Sequence, residues 1–201
     1  KFKLLRTLNS YAKERVLLVQ EYFALASRAT RFAFTRPFYF HDTFHEMEEI
    51  GVQSLASVVL TGFFTGMVLA LQSAATMETF GATIYIGRLV AAAMIRELGP
   101  VLTGLMIAGR VGSGIAAQIG SMAVTEQIDA LNTMGTDPIR KLVTPRLIAA
   151  VIMLPILTII FDTVGLLGGN AISTFYLDLP TSFYWRTVWE QVAAGGFTLR
   201  Y

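Results

Sequence analysis

The chain has no cysteine and little charge, and each lack excludes a class of protein. Without cysteine, its 201 residues can hold neither a disulfide framework nor a thiolate metal site. Only 15% of the residues are charged, whereas a soluble domain has about 25%. A net charge of +2 gives no indication of nucleic-acid binding. Because 54% of the residues are apolar and the mean hydropathy is +0.56, the composition predicts an integral membrane protein.

Residues 1–46 form a basic, amphipathic segment ahead of the long apolar runs. No signal peptide is predicted, since the basic start is followed by mixed charges and not by an apolar core. Apolar residues at spacings of three or four, or multiples of them, favour a helix lying in the membrane surface. A helix packed on a partner protein fits the same pattern. Arg36-Pro37 predicts the end of this helix. The apolar face comprises Leu5, Leu8, Val16, Val19, Phe23 and Ala26, and the basic residues are Lys1, Lys3, Arg6, Lys13, Arg15, Arg28, Arg31 and Arg36.

One cluster in this region has residue types that bind metals. His41 and His45 share a helix face, as zinc ligands can. The order, HDTFHE, is not HExxH, and no third ligand is evident. Neighbouring aromatic residues are typical of a membrane–water boundary. We therefore predict no metal site.

Three apolar runs are long enough to cross a bilayer, which requires about 20 residues. They cover residues 51–77, 89–122 and 147–169 and predict an all-α transmembrane domain over residues 47–201. The second run would be roughly 50 Å long as a helix, which exceeds a hydrocarbon core of about 30 Å. It must therefore tilt, bend or project, and Gly99-Pro100 predicts a bend.

Small residues recur every four positions in the first run, at Gly62, Gly66, Ala70 and Ala74. Such a stripe lets another helix backbone approach closely. We favour a role for this stripe in helix packing, either within the chain or between two copies, over a role as the wall of a substrate path. In the third run, the group Gly165, Gly168 and Gly169 is expected to mark the exit of the span.

Polar residues inside the runs predict a site in the membrane. Arg96, Glu97 and Arg110 would each cost about 2.5 to 3.5 kcal/mol at the centre of an isolated span. Arg96 and Glu97 are adjacent and do not face each other on a helix. They therefore either reach water at the outer end of the helix or line a cavity. Gln72 lies near the end of the first run, and Asp162 is expected near the outer surface.

A short polar segment joins the second and third runs. Residues 126–134 (EQIDALNTM), within a linking region of about 123–135, predict an amphipathic helix that Gly135 stops. Asp137-Pro138 predicts a turn, and the basic residues that follow predict a cytoplasmic location. The N-terminus is then also cytoplasmic. Residues 170–201 are too polar to span, and their aromatic residues Phe183, Tyr184, Trp185 and Trp189 suit an outer, periplasmic membrane boundary.

Several motifs closely resemble the MlaE/YrbE permease family, the membrane subunits of bacterial lipid ABC transporters associated with MCE proteins. They are RELGPVLTGLMIAGRVGSGIAAQIGSM (residues 96–122), EQIDAL (126–131), MGTDP (134–138) and LLGG (166–169), in the order of the family. The likeness covers roughly residues 51–169 and is weak elsewhere. The family has further C-terminal helices, which are expected outside this chain.

The resemblance implies a homodimeric, multi-pass permease of the bacterial inner membrane, with no enzymatic activity of its own. A cytoplasmic ATPase subunit would bind ATP and Mg²⁺, a periplasmic MCE-domain protein would carry phospholipid, and a small cytoplasmic STAS-type subunit could join them. Its function would be to move phospholipids and so maintain outer-membrane asymmetry. The candidate lipid-cavity residues are Gln72, Arg96, Glu97, Leu98 and Arg110. The candidate residues of the helix that couples to the ATPase are Glu126, Asp129, Ala130, Leu131 and Gly135.

Two other functions fit a helical membrane protein. An ion-coupled secondary transporter would show internal repeats and carboxylates at broken helices. The sequence shows no repeat, and only Glu97 and Asp162 could serve as such carboxylates. A scaffold without transport activity would use the glycine stripes only for assembly. No cofactor is predicted for this chain under any of these hypotheses.

Overall fold

A computed structural model describes residues 2–35 and 39–195, and every regular element in these ranges is helical. The all-α prediction is therefore confirmed. Helix α1 ends at Ala33, while the predicted stop at Arg36-Pro37 and the side chains of Leu5 and Leu8 lie outside the described residues. The α-helices are α1 (Phe2–Ala33), α2 (Phe40–Glu78), α3 (Ile86–Ala93), α4 (Gly99–Val124), α5 (Gln127–Thr133), α6 (Thr144–Phe175) and α7 (Thr181–Gly195).

Three helical stretches in the described part of the chain are long and apolar enough to cross a membrane. They are Phe40–Glu78, Thr83–Val124 and Ile139–Phe175. Each contains one of the predicted runs and extends beyond it, because a helix need not end where its apolar residues end. The second stretch starts with a 3₁₀ turn, Thr83–Tyr85, and continues through α3 and α4.

Two π-helical turns interrupt the α-helical geometry, and each lies just before a proline. In the first π turn (Met94–Leu98), the Gly99 N–H donates to the Met94 carbonyl. In the second π turn (Ile139–Val143), the Thr144 N–H donates to the Ile139 carbonyl. The next residues, Pro100 and Pro145, have no N–H with which to complete an α-helical ladder, and a wider turn forms instead. The distortion predicted at Gly99-Pro100 is thus a π turn.

The chain groups into two compact units, each built from separate stretches of sequence. The first unit combines Lys1–Met47 with Gln118–Ala150, and the second combines Glu48–Ala117 with Val151–Tyr201. Polar contacts join the elements of the first unit and are described below. The core of the second unit is apolar; its fully buried side chains include Val58, Val90, Met94, Leu157 and Phe161.

Glycines bring α2 and α6 to backbone contact in the second unit. A Cβ on Gly66 would overlap the Gly165 carbonyl oxygen, and one on Gly62 would lie 2.9 Å from the Phe161 oxygen. The four-residue stripe therefore packs within the chain, as favoured from the sequence. The expectation that Gly165, Gly168 and Gly169 mark the exit of the span stays a prediction. Helix α6 continues to Phe175, because these glycines permit close packing and do not break the helix.

Helix α7 packs on α3 and α6, also within the second unit. The Tyr184 hydroxyl donates to the Leu166 carbonyl at 3.2 Å, and a Cβ on Gly87 would overlap the Thr187 hydroxyl. Tyr184 is only 2% exposed, so its ring packs inside the second unit, and its place at a membrane–water boundary stays a prediction. Trp189, which is 64% exposed, remains available for such a boundary.

Candidate functional site

An apolar groove of about 480 Å³ lies on α2 in the second unit. The first π turn contributes Leu98 to it, and α2 contributes the other residues. Two of the five predicted lipid-cavity residues, Gln72 and Leu98, line this groove. Because the wall is mainly hydrocarbon and the groove is open, an acyl chain could lie along it. The α2 residues are Leu60, Thr61, Phe64, Thr65, Val68, Leu69 and Gln72.

The three charged candidates do not line the groove. Arg96 and Glu97 belong to the first π turn and are exposed next to Leu98. Arg110 is exposed on α4, twelve residues beyond Leu98, a distance of about 18 Å along a helix. No residue in the described ranges forms an ion pair with any of them. Only Arg96 and Glu97 are therefore close enough along the chain to act at the end of the groove.

Sequence reasoning missed most of the groove, although a signal for it was present. The bulky lining residues of α2 follow helical spacing from Leu60 to Gln72. They are offset by about two positions from the small-residue stripe, and two positions correspond to about 200° around a helix. The small face of α2 thus packs inward, and the opposite, bulky face is left to line the groove.

The candidate coupling helix α5 is exposed and begins with a strained residue. Glu126 has φ of 57°, in the left-handed region, which is uncommon for a residue with a side chain. Gly135 follows the helix with φ of 74°, as its predicted role as a stop requires. Asp129 and Ala130 are exposed, whereas Leu131 is half-buried. A strained backbone at an exposed helix is typical of a functional site.

A notch of about 580 Å³ adjoins the C-terminal end of α5. It runs from Asn132 to Ile139 and includes Gly135 and Asp137. The Asp137 carboxylate accepts a hydrogen bond of 2.9 Å from the Ile139 N–H, which fixes the predicted turn before the second π turn. The exposed helix and this notch together form a surface to which a second protein could bind.

Ion pairs in the first unit connect the segment that follows this surface in the sequence to the first turns of α2. Arg146 donates from Nε to Glu46 at 2.9 Å, and Lys141 pairs with Asp42. Both acidic residues of the HDTFHE cluster are therefore engaged by basic side chains. His41 and His45 are exposed, and no group of metal-ligating residues forms in the described ranges. Neither the sequence motifs nor helical periodicity pointed to these pairs.

Comparison with known proteins identifies the family. The model of the family described as Permease MlaE matches residues 43–199. A probable ABC transporter permease protein of Rickettsia bellii is 45% identical over 184 residues, which cover 90% of this chain and 71% of that protein.

Proteins of two other organisms are also similar. The intermembrane phospholipid transport system permease protein MlaE of Haemophilus influenzae is 40% identical over 148 residues, which are 74% of this chain and 57% of that protein. The chloroplastic protein TRIGALACTOSYLDIACYLGLYCEROL 1 of Arabidopsis thaliana is 40% identical over 135 residues, which are 67% of this chain and 39% of that protein. The family match over residues 43–199 and the 45% identity with the Rickettsia bellii permease show that the chain belongs to the MlaE permease family.

Proposed function

We propose that this chain is the membrane permease subunit of an ABC transporter that moves phospholipids. The observation that carries the proposal is the open apolar groove on α2, to which Leu98 of the first π turn also contributes. Phospholipid tails require an apolar wall, and the headgroup requires a cationic or polar group at the end of that wall. Arg96 and Gln72 are the candidates for that second role.

The energy source would be a separate ATPase bound at the cytoplasmic surface. The relative from Rickettsia bellii is named an ABC transporter permease, which supports this assembly. Glu126, Asp129 and Asp137 give the exposed coupling surface acidic charge. The nearby basic residues Lys141 and Arg146 are held in ion pairs. A basic cleft on the ATPase would therefore complement the α5 surface.

The remaining partners follow from the family. The Haemophilus influenzae relative is named for intermembrane phospholipid transport, which supports phospholipid as the substrate. Transfer between the inner membrane and a periplasmic MCE-domain carrier is part of the proposal. Maintenance of outer-membrane asymmetry and a STAS-type subunit are part of the same proposal.

A homodimer is also part of the proposal, and α4 supports it. A Cβ on Gly109 or Gly112, which lie three residues apart and share a face of α4, would meet nothing within 4 Å in the described residues outside their own stretch of helix. This open glycine face could accept a second copy. Formation of a disulfide between two Gly112→Cys chains would support the dimer, and its absence in the assembled transporter would contradict contact at this face.

Charge reversal on α5 tests the coupling role. The variant Glu126→Lys, Asp129→Lys should insert in the membrane but lose ATP-driven phospholipid transfer by roughly 5- to 150-fold, the range of a typical coupling free energy. The measurement is transfer of labelled phospholipid by the permease reconstituted with its ATPase and carrier. Glu126→Asn tolerates the left-handed backbone and separates the effect of charge from that of backbone strain.

The matched control is Glu78→Lys, which reverses an exposed charge at the last residue of α2. It should transfer phospholipid like the unaltered protein. The alternative function is an ion-coupled transporter, which Asp162 favours because its Oδ1 atom is buried and has no hydrogen-bond partner in the described ranges. Transfer that survives the α5 variant and requires a proton gradient would support that alternative.

A further inference from the structure

Arg146 joins three helices of the first unit through a single buried side chain. Its side chain is 6% exposed at the start of α6. Its Nε atom donates to Glu46 of α2 at 2.9 Å, and its Nη2 atom donates to Gln118 of α4 at 2.6 Å. One guanidinium therefore fixes the relative positions of α2, α4 and α6 at this level.

A second pair strengthens the same junction. Lys141 of the second π turn pairs with Asp42, which precedes Glu46 by one helical turn on α2. The Lys141 ammonium also lies 4.5 Å from the centre of the Tyr39 ring. The two pairs thus form a ladder between the first turns of α2 and the segment from the second π turn to α6.

Arg140 adds a link to α1. Its Nη2 atom donates to the Thr35 carbonyl at 2.8 Å, and its guanidinium lies 5.4 Å from the centre of the Phe32 ring. Of the basic residues that follow α5, Arg140 is therefore bound at the end of α1, and Lys141 and Arg146 are bound to α2.

The position of α5 in the chain gives this junction its significance. In the sequence, helix α5 lies between Gln118 and Arg146, and the guanidinium of Arg146 is hydrogen-bonded to the side chain of Gln118. The Arg146–Gln118 bond closes the base of the loop that carries α5, and the Arg146–Glu46 pair attaches this base to α2. The residues on both sides of α5 are therefore bonded to each other and to α2.

A purely stabilising role explains this arrangement less well. A buried ion pair is often no more stable than apolar residues of the same volume. The Nη1 atom of Arg146 is also buried without a hydrogen-bond partner in the described residues, which is costly. The geometry of the guanidinium, which reaches two acceptors on two helices, is the property that an apolar residue could not supply.

We propose that Arg146 is a positioning residue for transport, which makes the coupling segment and α2 move as one body. This inference rests on the proposed function, because it assumes that α5 receives force from an ATPase. In this role Arg146 determines how much phospholipid is moved per ATP hydrolysed. It contacts neither lipid nor nucleotide.

The test is Arg146→Lys, which keeps the charge but cannot bind both acceptors with the same geometry. In the complete transporter in proteoliposomes, phospholipid moved per ATP hydrolysed should fall about tenfold, which lies within the range of typical coupling energies. Membrane insertion, ATPase binding and the rate of ATP hydrolysis should be retained. Gln118→Leu, which removes only the uncharged partner, should lower the same ratio even if Arg146→Lys fails to fold.

The control is Arg186→Lys, which alters an Arg–Glu pair of the same type on α7 whose side chains are 76% and 58% exposed. It should leave the ratio unchanged. The exchange Glu46→Arg, Arg146→Glu should restore part of the ratio lost in Arg146→Lys. An unchanged ratio in Arg146→Lys and Gln118→Leu, or a parallel fall in transfer and hydrolysis, would overturn the inference. If the unaltered protein moved no phospholipid, the proposed function itself would fail.

Discussion

Individual glycines of this chain have opposite environments, and their replacement should have opposite effects. Gly66 lies where α2 and α6 touch, and an added Cβ would overlap a backbone oxygen. Gly104 lies on α4, and an added Cβ there would meet nothing within 4 Å. Both residues are helical, so their difference reflects packing and not backbone conformation.

We predict that Gly66→Ala destabilises the protein by roughly 1 to 3 kcal/mol, because a backbone atom cannot move aside as a flexible side chain can. Gly104→Ala should be neutral or stabilising by up to about 1 kcal/mol, through its higher helix propensity. Reversible unfolding in detergent micelles measures both free energies. Equal shifts in the two variants would contradict the close contact between α2 and α6.

At the scale of elements, the two π turns have the same local cause. A single residue, Gly99 in one case and Thr144 in the other, separates each turn from a proline. The first presents Leu98 to the apolar groove, and the second contains Arg140 and Lys141, which bind other elements of the first unit. Pro155 lies within the continuous helix α6, so a proline alone does not determine a π turn.

We predict that Pro100→Ala converts the first π turn to α-helix, because an alanine at this position has an N–H that can donate to the Arg96 carbonyl. Because an α turn holds one residue fewer than a π turn, this change would rotate Leu98 by about 100° relative to α4. Phospholipid captured by a photoreactive residue in place of Leu98 should then decrease. Pro155→Ala is the control and should leave capture unchanged. Equal capture in Pro100→Ala and the unaltered protein would show that the groove does not depend on this turn.

At the scale of the whole molecule, the three candidate spans determine which ends of the helices share a side of the membrane. An odd number of crossings separates α1 and α5 from the segment after α6. With all three spans crossing, the loop between α2 and the 3₁₀ turn would lie on the same side as α7. Since basic residues concentrate in α1 and after α5, the proposed cytoplasmic side is that of α5.

The absence of cysteine makes this arrangement directly testable. In intact spheroplasts, a membrane-impermeant maleimide should label Thr79→Cys and Ser182→Cys but not Asn132→Cys. Permeabilised membranes should show labelling of all three. Labelling of Asn132→Cys from the outside would place α5 away from any cytoplasmic ATPase, and the transporter proposal would then be abandoned.

The sequence by itself determined the class of protein, its three long apolar helices and its family, but not helix α7. Long apolar runs require helices because lipid offers no hydrogen bonds to an open backbone. The α5 segment was equally readable, since Gly135 and Asp137-Pro138 are local signals. These features depend on composition and on neighbours in the chain, which a sequence shows directly.

Only the tertiary structure decided which residues meet across the chain. The Arg146–Glu46 and Arg146–Gln118 contacts join residues far apart in sequence, and no local pattern predicts such partners. The same holds for Gly165 against Gly66, where two glycines far apart in the sequence bring α2 and α6 to backbone contact. Helical periodicity shows which side of a helix is small or bulky, but it does not show which other helix covers that side.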